Sequence, residues 1–475
     1  MKPRIVTATP TAWSPSGCAV AFSDRGRPLD IWSGIVGESC RVKVTHQGMN
    51  RAMGYFLEPT GKPHRHRRKG DGPTFHISGS SPLMHLTEKG QHQAKLMMIR
   101  EALATGGFES FTPDSMIASP DGEFGYRHVV KLVYGRSERG SLRLGAYARG
   151  TNRIVTISDS MVVTPVLREC IAGVAQRIIG ADIWPYDPDT GRGLLRHVVM
   201  RQSRSTGHVL VTLVATRSDN RLREVAEMIQ FELASVVGVQ LHMNEQPGNA
   251  IFGRDEEGEI KTRSLVGKPR IEDKIGNHLL GIGGGDFFQV NPGVANLICT
   301  ELLAEFASER ERPVLDLYCG VGAFTMSLAE QHGWALGVEV VQGAITRARE
   351  SARKNHVSAS FVAGAVADVL PTALERVAGK APLLVLNPSR KGLEPEVGRR
   401  VLACEPLRIA YVSCNPKALA RDLVEICARG WRIDSIRAFD MLPQTAHVEL
   451  LAMLSPIRSP EPSGRAPRRK VVRGS

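Results

Sequence analysis

Val314-Leu-Asp-Leu-Tyr-Cys-Gly-Val-Gly-Ala-Phe324 predicts a buried strand that ends in glycines and opens into a helix through Glu330. A second strand is predicted at Ala335-Leu-Gly-Val-Glu339, so that Glu339 follows the glycine turn by ~20 residues. Alternating strands and helices indicate a doubly wound α/β sheet, in which a glycine turn and an acid at this offset bind a cofactor ribose. The C-terminal part of the chain is therefore predicted to be a cofactor-binding α/β domain.

The glycine pattern narrows the class of cofactor. Gly320 and Gly322 are present, the third glycine of the dinucleotide fingerprint is absent, and Asp316 precedes the turn. An Asp-x-x-x-Gly-x-Gly turn is typical of Rossmann-like enzymes that use S-adenosylmethionine, which has no pyrophosphate to accommodate. S-adenosylmethionine is thus the predicted cofactor.

Composition limits the class of protein. With 475 residues, 42% of them hydrophobic and 23% charged, the chain is expected to be globular and to hold two to four domains. No apolar run reaches the ~18 residues of a membrane span, and Met1-Lys-Pro-Arg-Ile-Val6 lacks the apolar core of a secretory signal. We therefore expect a cytoplasmic protein that does not associate with membranes.

The cysteines and the net charge indicate the type of partner. The eight cysteines form no close C-x-x-C pair, which argues against a zinc ribbon or a disulfide scaffold, and no metal site is predicted. A formal net charge of +13 suggests a polyanionic partner. Nucleic acid is preferred over a membrane surface because no amphipathic basic helix is found.

Two further regions are predicted upstream. Residues 10–63 carry short alternating strands separated by turn residues, which favours a small β-barrel, and a cationic run, His64-Arg-His-Arg-Arg-Lys69, follows it. Helices are predicted at 88–104 and 221–237, with alternating strands between Tyr126 and Val214. This middle region is therefore predicted to be a mixed α+β domain.

Ala410-Tyr-Val-Ser-Cys-Asn-Pro416 places a thiol at the end of an apolar strand. Proline cannot continue a strand ladder, so Cys414 is predicted to lie where the sheet opens into a loop, the place where α/β enzymes carry their chemistry. A lone cysteine is more often a small buried hydrophobe. The glycine turn upstream and a His-Val-Glu sequence downstream favour a functional thiol.

The chain resembles the RNA uracil-5-methyltransferases, the family that makes 5-methyluridine in tRNA and 23S rRNA. The resemblance is carried by Phe287-Phe-Gln-Val-Asn291, Leu315-Asp-Leu-Tyr-Cys-Gly-Val-Gly322, Asn387-Pro-Ser-Arg-Lys-Gly392, Val412-Ser-Cys-Asn-Pro416 and Leu442-Pro-Gln-Thr-Ala-His-Val-Glu449, in family order. Gly193-Leu-Leu-Arg-His-Val-Val-Met-Arg201 resembles the family's central domain, and Gly34-Ile-Val-Gly-Glu38 resembles the Gly-Glu turn of TRAM barrels.

The resemblance implies a domain organisation. We predict a TRAM-like, OB-type β-barrel at 1–66, an α+β RNA-binding domain at 67–275 and a Rossmann-like methyltransferase domain at 276–455. Residues 456–475, rich in Pro, Ser and Arg, are predicted to be a disordered basic tail. A monomer that acts on structured RNA is expected, with 23S rRNA preferred over tRNA.

The resemblance also implies site residues. Cys414 would be the nucleophile and Glu449 the base. The cofactor-binding residues would be Gln289, Tyr318, Gly320, Gly322, Glu339 and Asn387. Arg390 and Lys391 would bind the RNA through a phosphate or a uracil carbonyl, although a charged loop is also stable in water without any function. Glu449 has an alternative interpretation as a surface acid that begins a strand.

Uracil chemistry requires these residue types. C5 is a weak nucleophile until a thiolate adds to C6 and converts the ring into an enolate. A base must then remove the C5 proton before the thiol can leave. The target base must be flipped out or lie in a single-stranded loop.

The chain departs from the family pattern in two ways that keep alternatives open. Asn387 stands where the family usually has aspartate, and an amide carries no charge. No cysteine lies between Cys40 and Cys170, so the iron–sulfur cluster of many barrel-containing relatives is not expected. A non-catalytic RNA-binding protein with this fold and an amino-directed methyltransferase, which would use Asn387-Pro-Ser-Arg390, therefore remain alternatives.

Overall fold

A computed structural model describes residues 4–23, 26–68, 79–137, 139–248, 250–256, 258–377 and 381–457. Lys69 of the cationic run lies outside the described residues, as does the predicted basic tail from 458 onward. Among the described residues, no helix is long and apolar enough to cross a bilayer.

The N-terminal region forms the short strands that the sequence predicts. They are β1 (Arg4–Ala8), β2 (Ala12–Trp13), β3 (Ala19–Phe22), β4 (Pro28–Trp32), β5 (Cys40–Gln47) and β6 (Ala52–Pro59). They pair in one six-stranded sheet in the order β1-β5-β6-β4-β3-β2, and the pairing is antiparallel except between β4 and β6. Ala21, Ile31, Cys40 and Val42 form its small apolar core.

The middle region is the predicted α+β arrangement. Its elements are α1 (Glu88–Ala104), β7 (Met116–Ile117), β8 (Val129–Arg136), β9 (Leu142–Tyr147), β10 (Ile154–Val155), α2 (Pro165–Gly180), β11 (Leu195–Gln202), β12 (Val209–Ala215), α3 (Asn220–Glu232), β13 (Val236–Met243) and β14 (Thr262–Gly267). Strands β8 to β14 form a seven-stranded sheet in the order β10-β9-β8-β11-β12-β13-β14. The helix predicted at 221–237 ends earlier, at Glu232, because the β-branched pair Val236-Val237 begins β13.

The C-terminal region confirms the doubly wound sheet. Its elements are β15 (Ile271–Ile275), β16 (His278–Ile282), α4 (Pro292–Glu305), β17 (Val314–Leu317), α5 (Ala323–His332), β18 (Ala335–Glu339), α6 (Gln342–Lys354), β19 (Ala359–Ala363), α7 (Val366–Glu375), β20 (Leu383–Leu386), α8 (Pro395–Ala403), β21 (Arg408–Ser413), α9 (Pro416–Cys427), β22 (Trp431–Phe439) and β23 (Glu449–Pro456). The strand order is β19-β18-β17-β20-β21-β23-β22-β7.

The order of the strands fixes where a ligand can bind. Strands β17 to β21 are parallel, and the chain leaves β17 toward β18 on one side and returns to β20 on the other. Ligands of such sheets bind in the crevice beyond the carboxyl ends of the strands, where the strand order reverses. The glycine turn follows β17 and Asn387 follows β20, so both lie at this edge.

A segment of the middle region packs into the C-terminal core. Ile99 and Leu103 of α1 and Met116 of β7 share one hydrophobic cluster with Leu419 and Leu423 of α9. Strand β7 also pairs in parallel with β22 at the edge of the large sheet. Helix α1 is thereby held rigidly against the domain that carries Cys414.

Candidate active site

Cys414 and Glu449 are brought together by neighbouring strands. Strands β21 and β23 are antiparallel, and their last paired residues at this end are Ser413 and Leu450. The next residue on each strand is Cys414 and Glu449, so the two face each other at the strand ends. Residues opposite each other on antiparallel strands have β-carbons about 4.5–5.5 Å apart.

The thiol is positioned by the start of helix α9. Pro416 occupies the first helical turn, and the Asn415 side chain accepts a hydrogen bond from the Lys417 amide at 3.2 Å, which caps the helix. The Asn415 amide nitrogen also donates to the Arg390 carbonyl at 2.8 Å. The loop after β20 and the loop after β21 are therefore fixed to each other beside Cys414.

The electrostatics of the pair differ from those of exposed groups. Burial raises the pKa of the Cys414 thiol, the neighbouring Glu449 raises it further, and Arg390 opposes both effects. Burial raises the pKa of Glu449 to about 8, again against Arg390. Glu449 is only 5% exposed, so its alternative interpretation as a surface acid is wrong. A buried carboxyl of this kind takes up and releases protons near neutral pH.

Arg390 and Lys391 differ in what the structure shows. The positive charge of the Arg390 guanidinium acts on both Cys414 and Glu449 and lowers the pKa of each against the effect of burial. The Lys391 side chain is exposed, and its backbone carbonyl accepts from Arg421 at 2.7 Å. Of the two predicted substrate-binding residues, the described contacts bring only Arg390 to the thiol.

The glycine turn has the form of a cofactor cradle. Tyr318, Gly320 and Gly322 all have positive φ angles, of 67°, 57° and 81°. A β-carbon at Gly322 would lie 2.6 Å from the Phe361 ring, whereas one at Gly320 would meet nothing within 4 Å. Gly322 thus allows close packing of the turn on the sheet, and Gly320 leaves space above it for a ligand.

Glu339 lies at the end of β18 and is fixed by the same turn. Its carboxylate accepts from the Gly320 amide at 3.2 Å and from the Val341 amide at 3.1 Å. Each carboxylate oxygen has two lone pairs, so both retain capacity for the hydroxyls of a ribose. Together with the open space above Gly320, this arrangement fits the nucleoside of S-adenosylmethionine.

Asn387 lies at this edge, and Gln289 belongs to the segment before α4. The Asn387 amide donates to the carbonyl of Leu317 at 3.2 Å, which places Asn387 directly beside the glycine turn. Gln289 is half-buried in the segment that precedes α4. Asn291 anchors that segment, because its side-chain amide donates to the Ser119 hydroxyl at 3.0 Å and to the Met441 carbonyl at 3.2 Å.

Asp316, in strand β17 just before the glycine turn, is a buried acid. It accepts from the Thr325 hydroxyl at 2.6 Å, and its second oxygen has no hydrogen-bond partner in the described part of the chain. Burial raises the pKa of Asp316 to about 7. The sequence identified this acid by its spacing but gave no sign that it would be fully enclosed.

Sequence reasoning missed the contacts that hold the loop before Glu449. The buried ammonium of Lys95, on α1, pairs with Asp440 at 2.5 Å and donates to the Leu442 carbonyl at 3.0 Å. Gln91, one turn earlier, donates to the Gln444 side chain at 2.8 Å and accepts from the Gln444 amide at 2.7 Å. Two polar residues, Gln91 and Lys95, on the face of α1 that also carries Ala94 and Ile99 were the signal in the sequence.

A second missed feature is a group of cations on the seven-stranded sheet near Arg390. Val129 of β8 pairs with Arg201 of β11, so Lys131, two residues after Val129, shares the sheet face of Arg201. Lys131 is an exposed residue, and partial desolvation of its ammonium together with the like charges of Arg201 and Arg390 lowers its pKa. The sequence analysis did not single out Lys131, because the nearness of β8 to Arg390 depends on how distant parts of the chain pack.

Comparison with known proteins identifies the family. Residues 278–456 match the sequence model of the tRNA (uracil-5-)-methyltransferase family. The chain is 30% identical over 455 residues to an uncharacterized RNA methyltransferase of Gloeobacter violaceus, which covers 95% of this chain and 96% of that relative. The chain belongs to the RNA uracil-5-methyltransferase family. An uncharacterized RNA methyltransferase of Synechocystis is 33% identical to this family member over 425 residues, 89% of each chain.

A solved structure shows the same fold. The crystal structure of Pyrococcus abyssi tRNA (uracil-54, C5)-methyltransferase in complex with S-adenosyl-L-homocysteine aligns with a TM-score of 0.73 at 23% identity. The alignment covers 94% of this chain and 100% of that chain. Family and fold together confirm the predicted enzyme class, an RNA (uracil-5-)-methyltransferase.

Proposed function

We propose that this enzyme transfers a methyl group from S-adenosylmethionine to C5 of a uridine in 23S rRNA, through a covalent adduct between Cys414 and C6. The single observation that carries the mechanism is the opposition of Cys414 and Glu449 at the ends of two antiparallel strands. A nucleophile and a base are both needed within reach of one pyrimidine ring, at C6 and at C5.

The cofactor and its contacts are part of the proposal. When bound, S-adenosylmethionine supplies a methyl group on a positively charged sulfur. Glu339 accepts from the ribose hydroxyls, and the turn at Gly320 and Gly322 allows close approach of the cofactor. Tyr318, Gln289 and Asn387 contribute the remaining walls of the cofactor site.

The proposed steps assign one task to each reacting residue. The Cys414 thiolate forms a bond from Sγ to C6, and the electron pair of the C5–C6 double bond becomes available at C5. C5 then bonds to the methyl carbon as the methyl–sulfur bond breaks, so that S-adenosylhomocysteine is the leaving group. Glu449 then removes the C5 proton, the Sγ–C6 bond breaks, and the thiolate leaves as 5-methyluridine is released. The guanidinium of Arg390 stabilises the thiolate before addition, because it already opposes the rise in the thiol pKa.

The choice of RNA rests on surface and charge. Lys131 is exposed on the face of the seven-stranded sheet near Arg390, which is also exposed, and the chain carries a net charge of +13. With the N-terminal sheet at 1–66 and the middle domain at 67–275 as RNA-binding parts beside the methyltransferase domain at 276–455, we favour 23S rRNA over tRNA. A cytoplasmic monomer remains part of the proposal on sequence grounds.

Two substitutions test the mechanism. Cys414→Ala should abolish methyl transfer while RNA binding survives, because the thiol forms the bond and affinity is spread over basic surface. Glu449→Gln should accumulate RNA as a covalent adduct, seen as a slow band on a denaturing gel only when S-adenosylmethionine is added. The matched controls are Cys427→Ala and the exposed Glu425→Gln, which should behave as the wild type.

The substrate is tested separately. We expect 5-methyluridine to be lost from one position of 23S rRNA in a strain that lacks the gene, with tRNA unchanged. Loss from tRNA alone would reject the rRNA assignment and leave the mechanism intact. Full activity of Cys414→Ala would reject the covalent mechanism whichever RNA is the substrate.

A further inference from the structure

A groove of about 480 Å³ lies between the N-terminal sheet and the seven-stranded sheet. Pockets of roughly 300–1,000 Å³ accommodate small organic ligands. The N-terminal region contributes Ser16 and Trp32 to its walls. The end of β9 and the loop after it contribute Tyr147, Arg149, Thr151 and Asn152. The groove is thus of a size to hold one nucleotide, and it is distinct from the crevice at Cys414.

The groove combines aromatic rings with a cation. The guanidinium carbon of Arg149 lies 3.8 Å from the centre of the Trp32 ring, a stacked cation–π contact. Tyr147 is 36% exposed at the same wall. Aromatic rings and guanidinium planes are the surfaces on which proteins stack unpaired RNA bases.

Arg149 carries a charge that no carboxylate in the described part of the chain compensates. Among the described residues Arg149 pairs with no carboxylate, and the groups that act on its charge are Cys18 and Tyr55. Asp30, the nearby acid that acts on Cys18, is paired with Arg51 at 2.6 Å. Burial lowers the pKa of Arg149, and its Nε has no hydrogen-bond partner among the residues that the structure describes. An anionic group in the groove would offset this unfavourable burial.

The groove adjoins the loop that carries Glu449. Ser16 lines the groove, and a β-carbon on the next residue, Gly17, would lie 3.3 Å from that of Ala446. The Leu83 amide donates to the Gln444 carbonyl at 2.9 Å in the same region. A single strand of RNA that presents a uridine to Cys414 can therefore continue along this loop toward the groove.

We propose that the groove binds one unpaired nucleotide of the substrate RNA, outside the uridine that is methylated. Its base stacks against the Trp32 and Tyr147 walls, and its phosphate pairs with Arg149. The inference rests on RNA as substrate and not on the cysteine mechanism. An acidic peptide would satisfy Arg149 but would leave the stacked aromatic surface without a planar partner, so a nucleotide fits both features.

The test measures binding of a fluorescein-labelled oligouridylate to the full chain by anisotropy, without cofactor. Trp32→Leu and Arg149→Met should each weaken binding by about 5- to 100-fold, the range expected when one stacked base is lost. Trp32→Phe keeps a ring and should recover most of the affinity. Arg149→Met should also reduce the slope of log K against log salt by about 0.7, and Trp32→Leu should leave that slope unchanged.

Trp184→Leu is the matched control, because Trp184 is 65% exposed and lies outside the groove. It should bind the oligonucleotide as the wild type does. Wild-type affinity in both Trp32→Leu and Arg149→Met would overturn the proposal, as would an equal loss in Trp184→Leu. If Trp32→Leu fails to fold, photo-crosslinking of 4-thiouridine RNA to the wild type decides, and crosslinks that avoid both Trp32 and Tyr147 would reject the groove.

Because the binding measurement needs no methyl transfer, it separates the two proposals. Lost affinity in the groove variants with no 5-methyluridine formed by the wild type would support the groove and reject the proposed reaction. Normal methylation by the wild type, with unchanged affinity in both groove variants, would support the proposed reaction and reject the groove.

Discussion

Cys414 and Glu449 stand opposite each other, one residue beyond the last paired residues of β21 and β23, and the charge of Glu449 raises the pKa of the Cys414 thiol. A base and a nucleophile that act on adjacent carbons of one ring have to lie this close. The two negative charges repel each other, so ionising either group raises the pKa of the other.

The first prediction concerns the reactivity of the thiol. Glu449→Gln removes a negative charge beside Cys414, so alkylation by iodoacetamide should begin at lower pH than in the wild type. Arg390→Gln removes the opposing positive charge and should shift the profile to higher pH. Mass spectrometry of the peptide that contains Cys414 gives the rate, with the Cys427 peptide of the same digest as control. If the pH profile of alkylation shifted in the same direction in both variants, Glu449 and Arg390 could not act in opposite directions on the Cys414 thiol.

The second prediction concerns the pH dependence of catalysis. Glu449 can accept a proton only when ionised, and burial raises its pKa to about 8 in the free enzyme. The value of kcat/KM, which reports the free enzyme, should therefore rise with pH up to about 8 and not fall in that range. The raised thiol pKa of Cys414 acts in the same direction. A flat profile between pH 6 and 8 would show that neither group limits the reaction.

The third prediction concerns stability. Between the unfolded pKa of about 4.3 and the folded value near 8, the folded protein binds one proton more at Glu449 than the unfolded chain, so its stability falls as pH rises. Glu449→Gln lacks this penalty and should be more stable by about 2–5 kcal/mol at pH 8, with little difference at pH 4. Urea unfolding at both pH values measures this. Glu425→Gln, on the surface, should show no such trend.

The fourth prediction concerns the contacts behind the catalytic loop. Lys95→Met leaves Asp440 buried without its main counter-ion, and should cost about 3–5 kcal/mol of unfolding free energy together with most of kcat. Adding Asp440→Leu should recover much of the stability but not the activity, because Lys95 also holds the Leu442 carbonyl. Lys354→Met, which breaks the exposed pair with Glu272, should cost less than about 1 kcal/mol.

The fifth prediction concerns Asn387. If it faces the cofactor, Asn387→Asp places a carboxylate near the positively charged sulfur and should lower KM for S-adenosylmethionine severalfold, while Asn387→Ala raises it. Steady-state kinetics at saturating RNA measure both. Asn50→Asp, in an exposed turn, should have no effect. If the substitutions changed only the KM for RNA, Asn387 would be assigned to binding of the uridine and not of the cofactor.

The sequence by itself determined the local parts of this protein. The limits of α1 and β18 and the glycine turn at Gly320 and Gly322 followed from hydrophobic period and glycine placement, because these features act over a few neighbouring residues. The roles expected for Gln289, Asn387 and Glu449 came instead from the resemblance of their motifs to those of the family. The end of α3 was misplaced, since Val236 joins a sheet whose partners lie far away in the chain.

Only the tertiary structure decided which of these parts meet. The antiparallel insertion of β23 beside β21 puts Glu449 against Cys414, and helix α1 reaches across the chain to pair Lys95 with Asp440. The stack of Arg149 on Trp32 likewise joins two separate sheets. Burial, which sets the pKa values of Glu449 and Asp316, arises from all the elements packed around a residue, and no local spacing in the sequence encodes that sum.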